Sequence, residues 1–352
     1  MALALSVTAG ACHSGGVRRR PAELFALDAR TGRQQWRVRL SDLDVTPPIA
    51  DDRAVYVSGS AGTAAYEGPT GRVRWRSAFV SRNSPFGTHI VGTTFVASDL
   101  HSIAALDTNT ANELWRNQDA DYDCPVSADA SGAYARGADG QVHALDLGNG
   151  RPRWTVTAEP TFCAPVLPAA GAVSVSDTDG TIRSLDARSG QQRWTVASDV
   201  PMPVPQAVAS GSLFVKPLGA NPVKGGTVVA LDLHDGRERF RLGPLHGVPP
   251  FDLAVGRYVY GYEGTFDSPD LAAFDAASGA VRWHATVALG RLATGEGLVV
   301  SAGGDITAVA DVDGARRWSA PLDYSDARFV FAVIGGGRVY VVVGTGSQPN
   351  ED

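Results

Sequence analysis

The chain has 352 residues, 44% of them hydrophobic and 19% charged, with a formal net charge of −6. That is enough apolar material for a large core, and no basic run extends beyond Arg18–Arg20, which excludes the electrostatic footprint of a nucleic-acid-binding protein. No apolar run approaches the ~20 residues that a membrane-crossing helix needs. At the start, Met1–Ala11 is small and apolar and leads into Ala9-Gly10-Ala11-Cys12, a loose form of a lipoprotein cleavage box. Cleavage there would leave Cys12 as a lipidated N-terminus and residues 13–20 as a tether. The expected layout is an export leader and tether over 1–20, one repeat domain over 21–345 and a disordered tail over 346–352.

From Glu23 onward one phrase, A-x-D-x-x-[ST]-G-x-x-x-W, recurs eight times. Its closing aromatics are Trp36, Trp75, Trp115, Trp154, Trp194, Phe240, Trp283 and Trp318, at intervals of 39, 40, 39, 40, 46, 43 and 35 residues. A period in this range marks an array of one supersecondary unit. Four residues before the aromatic stands glycine, replaced only by Ala111 in the third copy; eight before it stands an acid, replaced only by Ala310 in the last. The pattern predicts a strand ending in Ala-Leu-Asp, a turn in which the acid accepts amide hydrogen bonds and the glycine turns left-handed, and a strand that carries the aromatic against a neighbouring unit.

Upstream of each phrase lies a second strand pair, such as Ala54–Ser58 or Gly171–Ser176. Each unit is therefore four antiparallel strands, the blade of a β-propeller. The first phrase has only two strands before its successor begins, and Phe329–Ile334 and Val339–Val343 have no phrase after them. Two halves make one blade. The expectation is an all-β, eight-bladed propeller whose last blade is shared by the two ends of the chain, which removes two exposed sheet edges.

The phrase resembles the tryptophan-docking repeat of the quinoprotein dehydrogenase-like superfamily of eight-bladed propellers, over about Glu23 to Val343. The resemblance implies a PQQ-like repeat fold. Relatives of this kind include quinone-dependent alcohol dehydrogenases, lipoprotein scaffolds of the outer-membrane assembly type and sensor domains attached to kinases. The dehydrogenases carry two adjacent disulfide-linked cysteines over the quinone and a tryptophan beneath it. This chain has no adjacent cysteines, and the docking phrase uses all seven of its tryptophans. It also lacks a C-x-x-C-H haem attachment. No catalytic, cofactor or metal residues are therefore assigned. The alternative is pyrroloquinoline quinone with calcium in the channel.

The remaining chemistry is sparse. The seven histidines are scattered without metal-ligand spacing, and His101 and His143 read as structural residues. Asp177-Thr178-Asp179-Gly180 starts like a calcium loop but lacks the later glutamate, so it reads as a hairpin turn. Cys124 and Cys163 each lie nine residues after a docking tryptophan, at the same position in adjacent blades. Neighbouring inner strands converge on the channel, so a Cys124–Cys163 disulfide is expected, which fits an oxidising compartment.

Strand order places these cysteines on the face formed by the links between blades and the hairpins between second and third strands. Two consecutive hairpins there are enlarged, Lys216–Gly226 and Glu263–Asp270, and account for most of the long intervals. Loops on a rigid frame are where function usually sits. Arg82, Tyr122, Asp123, Phe162, His246, Arg291 and Tyr324 fall on that face and are the expected binding rim. The functional expectation is a monomeric, non-catalytic propeller exported to the cell envelope that binds a protein or peptide there. It would touch the membrane only through a lipid anchor. A quinone-dependent oxidoreductase and a small-molecule sensor are the alternatives.

Overall fold

Short apolar runs punctuated by Gly, Asp and Ser turns form antiparallel strands that hydrogen-bond into eight separate four-stranded sheets. The computed structural model describes residues 22–40, 46–79, 87–99, 101–122, 124–158, 165–177, 179–217, 225–246, 253–265, 268–322, 327 and 329–344. Seven sheets use consecutive strands and are termed here blade 1 (49–77), blade 2 (88–117), blade 3 (127–157), blade 4 (167–197), blade 5 (203–245), blade 6 (254–286) and blade 7 (291–321). Blade 8 is composite. Its first two strands are Phe329–Gly335 and Arg338–Gly344, and its last two are Glu23–Asp28 and Gln34–Arg39. Glu23 lies opposite Val343 and Asp28 opposite Arg338, so the two ends of the chain share one sheet. The first strands of successive blades touch in a complete cycle around the channel. The eight-bladed ring expected from the phrase count is the observed fold.

The phrase works between blades. Each tryptophan reaches forward to the phrase turn of the next blade, and its Nε1 donates to a turn carbonyl at 2.7–3.1 Å in all seven cases. The ring lies flat on the turn glycine. At Gly190, φ is +70°, and an added Cβ would sit 2.8 Å from Cδ2 of Trp154. The glycine is thus required twice, for left-handed backbone and for close approach of the ring. The one alanine variant, Ala111, keeps the left-handed geometry at φ 63° and packs in the cluster that holds Trp75. Gly190→Val is expected to cost about 2–5 kcal/mol, combining the left-handed penalty with overpacking. A urea midpoint within error of the wild type would contradict that.

Two features of the turn were only half visible in the sequence. The phrase carboxylate does accept turn amides, as at Asp275, whose Oδ1 takes the N–H groups of Ala277 and Ser278 at 3.1 and 3.0 Å. The residue before the aromatic is arginine in six copies, and in three of them (Arg193, Arg239, Arg282) it pairs with the turn acid from outside. Arg193 Nη2 donates at 2.7 Å both to Asp186 and to the Gly171 carbonyl, and Arg282 donates to Asp275 at 2.6 Å. Hydrogen bonds from Arg282 and then Ser278 pull the Asp275 carboxyl down to about 2. A carboxyl depressed on folding contributes stability above its unfolded pKa and loses it as pH falls through the folded one. The urea midpoint should therefore fall between about pH 4 and pH 2, and Asp275→Asn should flatten that fall. An unchanged profile in the variant would rule out the contribution.

Candidate functional site

The hairpin of blade 6 is built on longer strands than those of blades 2, 3, 4 and 7. Val259–Thr265 pairs with Ser268–Phe274 as far as Thr265 opposite Ser268, with seven residues in each strand against five in the second strands of blades 2, 3, 4 and 7. Side chains beneath it hold it on both flanks. From the blade 5 side, His246 donates its backbone N–H to Tyr262 O at 2.7 Å, and its Nε2 lies 3.0 Å from Gly264 O. From the blade 7 side, Ser301 Oγ meets the Tyr262 hydroxyl at 2.6 Å, and the Gly290 N–H donates to that hydroxyl at 3.2 Å. Burial pushes the Tyr262 phenol up to about 12, so it stays neutral. On the outer side, His284 Nε2 meets Glu263 at 2.8 Å. The tip, Gly264, Thr265 and Ser268, is exposed. In blade 5, Ser212–Pro217 and Gly226–Asp232 flank residues 218–224, which lie outside the described residues, so only the base of that enlarged hairpin is described.

Three of the expected rim residues are described, and two of them face inward. Tyr122 is 0% exposed. Its hydroxyl donates to Asn117 Oδ1 at 2.7 Å, and its ring stands edge-on to His143 at 5.5 Å. Burial raises its phenol far above the ordinary tyrosine range. His246, at 3% exposure, is the hairpin buttress described above. Both were expected as anchors for a partner; both are structural, because the links turn their side chains into the gaps between blades. Arg291 is half-buried, with its guanidinium 4.4 Å over the Phe331 ring, which joins blade 7 to blade 8. Arg82, Asp123, Phe162 and Tyr324 lie outside the described residues, as do Cys12 and Cys163. Cys124 is buried and disulfide-bonded. His143 is held by Asp139 at 3.0 Å, in keeping with a structural role.

A buried ion network on the same side had no sequence signal. Asp177 of blade 4 receives Arg136 of blade 3 at 3.5 Å and Arg183 of its own blade at 2.8 Å. Arg136 also donates to the Ser176 carbonyl, and Arg183 to the Thr157 carbonyl of blade 3 at 3.0 Å. Asp177 is thus a cross-blade rivet, and Asp179 caps the adjacent turn by accepting Thr181 N at 2.8 Å. These roles account for the carboxylates of the sequence that begins like a calcium loop.

The inner strands surround the channel. Their partly exposed side chains are mixed, with Ile49, Ile90, Leu167 and Val255 beside His89, Gln206, Arg291 and Thr294, and their one described carboxylate is Asp129, which accepts from Ser131. Among the described residues no group of three or more His, Cys, Asp or Glu could hold a metal.

A family model described as outer membrane protein assembly factor BamB matches residues 20–137, 123–242 and 267–348. The serine/threonine-protein kinase AfsK of Streptomyces griseus is 34% identical over 109 residues, which is 27% of this chain and 13% of the kinase. The matched stretch thus spans only a small part of that relative. Among solved structures, BamB from Moraxella catarrhalis superposes with a TM-score of 0.58 at 19% identity, covering 90% of this chain and 97% of that one. The computationally designed Ika8 protein superposes with a TM-score of 0.62 at 15% identity, covering 85% and 95%. At these identities the structural likeness speaks for the fold alone.

Proposed function

The chain belongs to the family of the outer membrane protein assembly factor BamB, and on that premise we propose that it is a non-catalytic scaffold of the cell envelope. It binds a protein or peptide on the face that carries the blade 5 and blade 6 hairpins. The observation that carries this reading is the blade 6 hairpin, built on longer strands than those of blades 2, 3, 4 and 7 and fixed on both flanks by His246 and Tyr262. A prefixed recognition element loses little ordering entropy when a partner docks. The chain acts as a monomer, exported and anchored through a lipidated Cys12. Cys124 pairs with Cys163, enclosing a blade, and the link contributes about 4 kcal/mol on the loop-entropy model. Intact-mass analysis after alkylation, with and without reductant, should show one reducible pair; two free thiols at these positions would contradict the pairing.

The match to AfsK favours a second reading, a sensor domain for a small molecule. Calorimetric titration with pyrroloquinoline quinone and calcium separates the two for the quinone case. The scaffold reading expects no saturable heat up to millimolar ligand. Binding at one site per chain would replace it with a quinone site and start a search for an oxidisable substrate.

A further inference from the structure

At the ring closure, a cleft of about 300 Å³ opens between blades 7 and 8, lined by Phe25, Leu27, Ile306, Ala320 and Leu322, with Arg37 on its rim. The residue two after the docking aromatic is Ala320 here, alanine also in blade 6 (Ala285), and valine or leucine in four other blades (Val38, Val156, Val196, Leu242). The cleft is bordered by the outermost strands of the two blades, Gln34–Arg39 and Arg316–Pro321, which are edge strands of their sheets. The blade 8 strand carries Arg37 and Arg39 and no acidic residue, whereas Arg316 of blade 7 turns away to donate to the Thr286 carbonyl of blade 6 at 3.0 Å. Glu23 serves two of these cations, pairing with Arg37 and lying 3.6 Å from Arg39, whose side chain is 80% exposed. In a chain of net charge −6, this border is locally cationic.

We infer that the cleft between blades 7 and 8 is a docking groove for an extended segment of a partner protein in which apolar and acidic residues alternate. Alternation is what the geometry selects. In an extended chain successive side chains point to opposite sides, so apolar residues enter the cleft while acidic ones face the arginines. A volume at the small end of ligand sites has room for roughly two or three aliphatic side chains rather than a cofactor. An edge strand also offers backbone hydrogen bonds to an extended guest. This groove lies on the flank of the disc and is independent of the hairpin face.

The test is fluorescence anisotropy of the full chain with a dye-labelled eight-residue peptide of alternating leucine and aspartate. Controls are the leucine–lysine counterpart and laurate as a competitor. Saturable binding of the aspartate peptide is expected, weakening with salt, with no binding of the lysine peptide. Ala320→Phe, which fills the cleft, should abolish it. Arg39→Glu, at an exposed position, should weaken it about five-fold, the range of a surface charge contact. Thermal melting of both variants checks that they fold, and Arg39→Glu keeps the test open if Ala320→Phe does not. No binding to the wild-type chain, equal binding of the lysine peptide, displacement by laurate at equal concentration, or full affinity in both folded variants would each overturn the proposal.

Discussion

Trp318→Ala is expected to lower the unfolding free energy by about 3–5 kcal/mol, the range for a large buried aromatic truncated to alanine. Trp318 is 7% exposed, and its ring covers Gly32, where a Cβ would lie 2.6 Å away. Its Nε1 donates to the Ala29 carbonyl at 2.7 Å, a contact spanning 289 residues of chain. This docking contact ties the last repeat to the N-terminal strands of blade 8. Its loss therefore removes apolar burial, leaves a cavity and strands a turn carbonyl at the place where the ring is closed only by non-covalent pairing. Trp318→Phe should be milder, because Phe240 already fills the same role over Gly279 without an N–H donor. Urea denaturation of both variants measures the two losses. A change below about 1 kcal/mol for the alanine variant would mean that the docking phrase is not what holds the blades together.

Asp177→Asn should be comparably damaging, about 3–5 kcal/mol, because it strands two buried arginines. The Asp177 side chain is 4% exposed, and those of Arg136 and Arg183 are 7% and 17% exposed. Burial already disfavours the charged form of Arg136, and Asp177 offsets this. The informative comparison is Arg136→Met. That change leaves the 2.8 Å Arg183–Asp177 pair intact and replaces a buried charge by a flexible apolar side chain. It should therefore cost much less than Asp177→Asn. Equal losses in thermal and urea unfolding would show that the three residues do not form one network centred on the carboxylate.

The architecture could be read from the chain because each docking phrase is local and repeated. The tryptophan, turn glycine and turn acid of one copy lie within one short segment, and eight copies average out exceptions such as Phe240, Ala111 and Ala310, although the glycine each ring covers belongs to the next blade. The arginine before the aromatic was equally readable, at Arg74, Arg153, Arg193, Arg239, Arg282 and Arg317, but the role seen at Arg153, Arg193 and Arg239 needs the carbonyl each reaches across the blade. Tyr122 and His246 were assigned to the right face and given the wrong direction. A link residue's position follows from strand order, whereas the direction of its side chain follows from the gap beside it, and the sequence does not encode that gap locally. The Arg136–Asp177–Arg183 network had no signal at all, since two blades must close before its members meet.

The most direct test of the scaffold claim is site-specific photo-cross-linking in intact cell envelopes, with the photoreactive residue placed either at Thr265 or at Arg30. Thr265 is at the exposed tip of the blade 6 hairpin, and Arg30 is exposed in a phrase turn on the opposite face. The account predicts one or a few discrete protein adducts from Thr265 and none of the same mass from Arg30. Identical adduct patterns from both positions, or none from Thr265 while the protein is folded and present, would contradict a recognition surface on the hairpin face.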